Sequence, residues 1–223
     1  MNLYFLVEGK TEQKVYPRWI SYLLPNISRV DSPDDVSANN YFLISGGGFP
    51  SLLDNHLKAS VADVNSVEKY DFLIICLDSD NASPESRIQM VYDFIKEEKL
   101  ILSCNLHVIV QKICMETWFM GNRTVYTRNP SQSFKPFSQF YDASINDPEL
   151  MGKPDDFGES HSIYHYEYLK NMLSEKRIRY SKKNPRDVMQ KYYLNELRKR
   201  TIDFPNQLST LKEFIKFMDD IAK

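Results

Sequence analysis

Residues 72–80 read Phe72-Leu-Ile-Ile-Cys-Leu-Asp-Ser-Asp80. An apolar run of strand length ends in two carboxylates spaced i, i+2. Strands covered on both faces read as unbroken apolar runs, so this stretch predicts an inner strand of a parallel sheet. Asp78 and Asp80 then fall where the strand leaves the sheet at its carboxyl end. That edge is where open α/β sheets place their ligands. Two carboxylates this close repel one another unless a cation joins them, and their hard oxygens suit Mg²⁺ or Mn²⁺. The alternative is a polar turn whose acids cap the next helix.

The amino terminus repeats the pattern. Asn2-Leu-Tyr-Phe-Leu-Val-Glu8 is a second apolar strand with an acid at its end. Gly9 permits a sharp turn, and Thr11 is placed to cap a helix over residues 11–24. Pro17 should kink that helix or delay its start. Glu8 is therefore expected at the same edge as Asp78. Glu12 lies one turn further on, where it either points at that edge or complements the helix dipole.

The alternation continues. Tyr41-Phe-Leu-Ile-Ser45 is a strand running into Gly46-Gly47-Gly48, which either makes a tight turn or lets a phosphate approach the backbone. Residues 50–67 and 84–98 read as helices, the second with Pro84 in its first turn. Asn105-Leu-His-Val-Ile-Val-Gln111 is a fourth strand. Strands alternating with helices imply an α/β fold, a parallel sheet of about four strands flanked by helices. Cys114-Met-Glu-Thr-Trp-Phe-Met-Gly121 comes next, so Glu116 either joins the acidic edge or faces solvent while Trp118 and Phe119 enter the core. Residues 122–162, with Pro130, Pro136, Pro148 and Pro154, lack periodicity and read as an irregular connector or lid. Helices near 163–175, 185–200 and 207–222 then form a C-terminal extension. The expected organisation is a core over 1–121, a connector over 122–162 and a helical region over 163–223 packed on the core. His161 and His165 are four apart, but no third ligand accompanies them to make a zinc site.

The pairing of Val7-Glu8-Gly9-Lys10-Thr11-Glu12 with Leu77-Asp78-Ser79-Asp80 resembles the Toprim domain. That family has a strand ending in Glu-Gly and a later strand ending in Asp-x-Asp. The Glu-Gly-x-Thr-Glu form looks most like the small Toprim proteins related to OLD-type and RloB-like nucleases of bacterial phage-defence loci. Glu116-Thr-Trp118 resembles the Glu-x-Trp often found there. The resemblance covers about residues 1–120. It implies a nuclease cleaving phosphodiester bonds in DNA or RNA with one or two Mg²⁺ or Mn²⁺ ions. Glu8, Asp78 and Asp80 would be the catalytic acids, with Glu12 or Glu116 completing a second ion site. Glu8 would also move protons. The relatives place a lysine near the metals, for which Lys182 or Lys183 is the candidate. They often act with an ATPase encoded separately.

Competing motifs fail in the letters or explain less. Gly9-Lys10-Thr11 suggests a P-loop, but the glycine required five residues earlier is Tyr4. A haloacid-dehalogenase motif would follow the first strand and continue to Thr. A response-regulator receiver would need an acidic pair after strand one. A Mg²⁺-dependent phosphotransfer or nucleotide-sugar enzyme using Asp-x-Asp remains open, as does a non-catalytic accessory subunit that binds nucleic acid or a partner ATPase.

Charge distribution says more than net charge, which is −2. Residues 142–160 hold six acids and one base, whereas 170–200 hold eleven bases and three acids. The second segment is the expected grip on phosphates, with Lys182, Lys183 and Arg186 as nucleic-acid contacts, unless it is only a solvated helix face. Tyr180, Tyr192 and Tyr193 either stack on unpaired bases or fill the core. Hydrophobic residues make up 42% of the 223, enough for a sizeable core. Cys76, Cys104 and Cys114 are odd in number and lack a metal spacing, so free thiols and a cytoplasmic location are expected. No basic leader and no membrane-length apolar run are seen, and a homodimer is compatible with the sequence.

Overall fold

The computed structural model describes every residue from Met1 to Lys223. The chain divides into two compact units. One holds Met1–Leu77, Ser83–Val110 and Ile221–Lys223; the other holds Asp78–Ala82 and Gln111–Asp220.

The first unit is built on a parallel sheet. Its strands are β1 (Asn2–Val7), β2 (Ser28–Arg29), β3 (Asn40–Ser45), β4 (Phe72–Asp78) and β5 (Asn105–Gln111), in the order β2-β3-β1-β4-β5. The sheet has five strands rather than about four. The extra one is the two-residue edge β2, too short to show periodicity, in a stretch that reads as loop. β1 is buried along its whole length because it lies between β3 and β4, parallel to both.

Side-chain alternation assigns the two faces. Tyr4, Leu6, Leu73, Ile75 and Leu77 pack against Leu53, Leu57, Val61, Val64 and Val91. Those partners come from a π-helical turn (Leu52–Leu57), α2 (Lys58–Val67) and α3 (Pro84–Glu97). The opposite face meets α1 (Glu12–Leu23), where Phe5 stacks on Tyr16 with ring centroids 6.5 Å apart. Each fully buried aliphatic side chain contributes roughly 1.5–3 kcal/mol. α3 begins as expected, with Pro84 in its first turn and Ser83 accepting from the Ser86 N–H. α1 begins differently. Thr11 has helical angles and its hydroxyl makes no cap, while α1 runs on through Pro17.

The second unit is helical. α4 (Met115–Phe119) is buried on every side. Thr117 bonds His165 on α6 (His161–Ser174), and Phe119 O accepts from Tyr193 on α7 (Lys191–Asp203). Trp118 donates to Thr210 and stacks on Phe214, both on α8 (Ser209–Ile221).

Residues 122–162 carry the short helix α5 (Lys135–Phe140) and two 3₁₀ turns, Arg123–Val125 and Pro148–Leu150. The segment is irregular yet anchored. Buried Arg200 donates to the carbonyls of Gly121, Ala143 and Asn146. Asp147 accepts from the Leu208 N–H, and Glu149 accepts from the Ser209 and Thr210 hydroxyls and the Thr210 and Leu211 N–H groups. Two acids of the acidic stretch thus hold the start of α8. No helix is long and apolar enough to cross a membrane.

Candidate functional site

In the first unit the register puts Val7 opposite Cys76, so Glu8 leaves β1 beside the last residues of β4. The Glu8 carbonyl accepts from the Gly48 N–H at 2.9 Å and the Ser45 hydroxyl at 3.3 Å. Gly46 N–H goes to Val7 O and Gly47 N–H to Ser45 Oγ. All three glycine N–H groups are therefore spent on the sheet edge, and the loop is a tight turn rather than a phosphate cradle. Gly47 and Gly48 have positive φ, which only glycine adopts without cost.

Glu12 is buried in the first turn of α1. Its Oε2 lies 2.8 Å from where a Cβ on Gly9 would sit, so Gly9 is what lets the carboxylate fold back over the turn. The Cys76 thiol is pushed up by burial, drawn down by a bond from Tyr16 and raised again by the Glu12 charge. Glu12 is thus near enough to Cys76 for its charge to bear on that thiol.

In the second unit a backbone clasp fixes Asp80. Ser79 N–H donates to Gln111 O, Asp80 N–H donates to Ile113 O, and Ile113 N–H donates to Ser79 Oγ. Asp80 and Ile113 both sit in the left-handed region, at φ 49° and 65°. For a β-branched residue that conformation costs on the order of 1–3 kcal/mol and persists only where its surroundings impose it. Asp78 and Asp80 are half-buried, with buried Ser79 between them.

Glu116 is buried, accepts from Tyr180 Oη at 2.7 Å and pairs with Lys182 Nζ at 3.7 Å. Burial pushes the neighbouring Cys114 thiol up, the charges of Glu116 and Asp78 push it further, and Lys182 draws it back. The charges of Asp78, Glu116 and Lys182 thus all bear on Cys114. Lys182, one of the two candidate lysines, pairs with Glu116. Glu116 neither faces solvent nor lies open at the edge.

A cavity of about 470 Å³ opens beside Asp80, lined also by Asn81, Lys112, Lys153 and His161. His161 Nδ1 lies 2.7 Å from Asn81 Oδ1 across 80 residues of sequence. His165, the other histidine of the pair, is buried and holds Thr117 Oγ1 and Met151 O with its two ring nitrogens.

The basic segment divides. Arg200 is internal, and Arg198 pairs with Asp219. Lys182, Lys183 and Arg186 are exposed. Tyr180 and Tyr193 are buried, whereas Tyr192 is exposed. All three cysteines are free thiols.

The donors at the strand ends are carboxylate oxygens, the chemistry Mg²⁺ takes. No three His, Cys, Asp or Glu side chains gather into a closed cage. Mg²⁺ uses one or two carboxylates and completes its shell with water and substrate phosphate, and the half-buried Asp78 and Asp80 fit that demand. Comparison with known protein families, curated proteins and solved structures finds no match to this chain.

Proposed function

We propose that this chain is a metal-dependent nuclease of Toprim type, cleaving phosphodiester bonds in DNA or RNA. The observation that supports it is the placement of acids at strand ends. Glu8 follows β1, Asp78 ends β4, and the two strands are hydrogen-bonded neighbours running the same way. Asp78, Asp80 and Glu8 would hold Mg²⁺ or Mn²⁺, with Glu12 serving a second ion. An ion held by these carboxylates would supply charge stabilisation at the scissile phosphate and a more acidic bound water. Glu8 exchanges protons with water and the leaving oxygen. Lys182 presents a cation to the phosphate, and Glu116 with Tyr180 acts as its positioning group. Lys183 and Arg186 hold the backbone on either side. A defence role in the cytoplasm, with a separately encoded ATPase, accompanies this reading through the Toprim resemblance.

The test is cleavage of plasmid, single-stranded DNA and RNA with Mg²⁺ or Mn²⁺, by the wild type and by Asp78→Ala. Cutting by the first and not the second supports the nuclease. Tight binding with no cutting under either metal points to the accessory subunit instead.

A further inference from the structure

A second cavity, of about 360 Å³, lies in the helical unit, lined by Ile163, Tyr166, Ser181, Lys182 and Lys183. Ile163 and Tyr166 stand three apart on α6 and so share one face of it. Ile163 is 41% exposed, so its side chain is open to a ligand in the cavity. Tyr166 presents an aromatic ring that is only partly buried. Its ring is held by Tyr180, 6.0 Å away, and by Lys170, whose Nζ lies 5.7 Å from the ring centre. Lys182 belongs to two places at once. It lines this cavity, and its Nζ reaches Glu116 beside Asp78.

An apolar floor, one aromatic face and two lysines match one ligand chemistry: a flat base carrying a phosphate. Unpaired bases stack on aromatic side chains while lysines hold their phosphates, whereas a duplex keeps its bases inside and offers only backbone. We propose that this cavity seats an unpaired nucleobase, making single-stranded nucleic acid the substrate class. The base rests on Tyr166 and Ile163, its phosphate lies on Lys182 and Lys183, and Lys182 sets the spacing to the acidic centre. This rests on the nuclease reading for its purpose but not for its measurement.

The test is fluorescence anisotropy with labelled single-stranded and duplex oligonucleotides of one sequence, in EDTA so that nothing is cut. The single strand should bind at least about tenfold more tightly, and Tyr166→Ala should lose roughly five- to a hundredfold of that affinity, the range measured for base–aromatic stacking. Tyr166→Phe should keep the ring and hence the affinity. Equal binding of both forms, or a Tyr166→Ala variant of unchanged melting temperature that binds as the wild type does, overturns the inference. If Tyr166→Ala melts lower, Ile163→Ser provides the same readout from the cavity's other wall, and unchanged affinity there overturns it too. Cleavage with Mg²⁺ is scored separately. Selective, Tyr166-dependent binding without cutting upholds the base pocket and removes the nuclease. Cutting without strand selectivity does the reverse.

Discussion

Two pairs of acids in this molecule have opposite surroundings. Asp147 and Glu149 are buried and saturated, each accepting from backbone at the start of α8. Burial still pushes the Glu149 carboxyl above its usual range, although the bonds from Thr210 and Ser209 pull the other way. Asp78 and Asp80 are half-buried at the end of a strand, one of them held in a strained backbone conformation. A carboxylate that serves structure is enclosed by donors. Asp78 and Asp80 stay partly in solvent, as the proposed metal site requires. The contrast sets apart acids that look alike in sequence.

The largest effect should fall on chemistry without touching the fold. Asp78→Ala or Asp80→Ala should reduce cleavage by on the order of 10²–10³-fold or more. The metal-free protein should melt at the same temperature or higher, because a like-charge repulsion is relieved. A variant that melts lower yet still cuts would erase the distinction drawn above.

Glu149→Ala should do the opposite. It strands the Ser209, Thr210 and Leu211 donors, at a cost of roughly 2–4 kcal/mol. In a chain of this size that lowers the melting temperature by roughly 4–16 °C, while the folded fraction keeps its activity. Unchanged melting would show that the Glu149 cluster does not hold α8.

His165 belongs with the saturated groups and sharpens the comparison through pH. Burial lowers its pKa from 6.5 to about 4, the Met151 carbonyl opposing and His161 adding to the drop. The unfolded chain therefore binds the proton more readily than the folded one between those values. Its contribution to stability is complete above pH 6.5 and is lost as pH falls toward 4. Thermal melts across that window should show a smaller acid loss in His165→Gln than in the wild type. Parallel curves would mean that the ring is not held neutral.

The smallest effect concerns the exposed bases. Lys183→Glu and Arg186→Glu should weaken nucleic-acid binding about equally for all sequences. Each should flatten the dependence of log K on log salt by about one, as expected for a lost phosphate contact. Binding indifferent to both changes moves the phosphate contacts elsewhere.

Much of the sheet was legible because apolar runs such as 72–77 and 108–110 have strand length, β-branched residues and polar flanks. The two-residue strand β2 carried no period and was not. The acids at strand ends were visible as residues, since their neighbours in sequence define them. Their differences were not. Glu116 looked like an edge acid or a surface one, and only the return of Tyr180 and Lys182, more than sixty residues later, encloses it. The Asn81–His161 bond and the Tyr166 cavity likewise join distant segments, so no local pattern announces them. Residues 122–162 read as a loose connector because their anchors are side-chain bonds, which leave no periodicity. The +8 balance of 170–200 overstated the basic surface, since Arg200 is spent on three internal carbonyls.

The chain passes between its two units after Leu77, Ala82, Val110 and Asp220. A five-residue visit, Asp78–Ala82, places the Asp-x-Asp acids in the helical unit while the strand that delivers them belongs to the sheet. No single break in the polypeptide separates the two. Ending the chain near residue 121 would strip Trp118 of Thr210 and Phe214, and starting it there would take Thr117 from His165 and Phe119 from Tyr193. Recombination that exchanges whole modules at one crossover has no place to act here. A crossover at any point between Leu77 and Asp220 would divide one unit or the other.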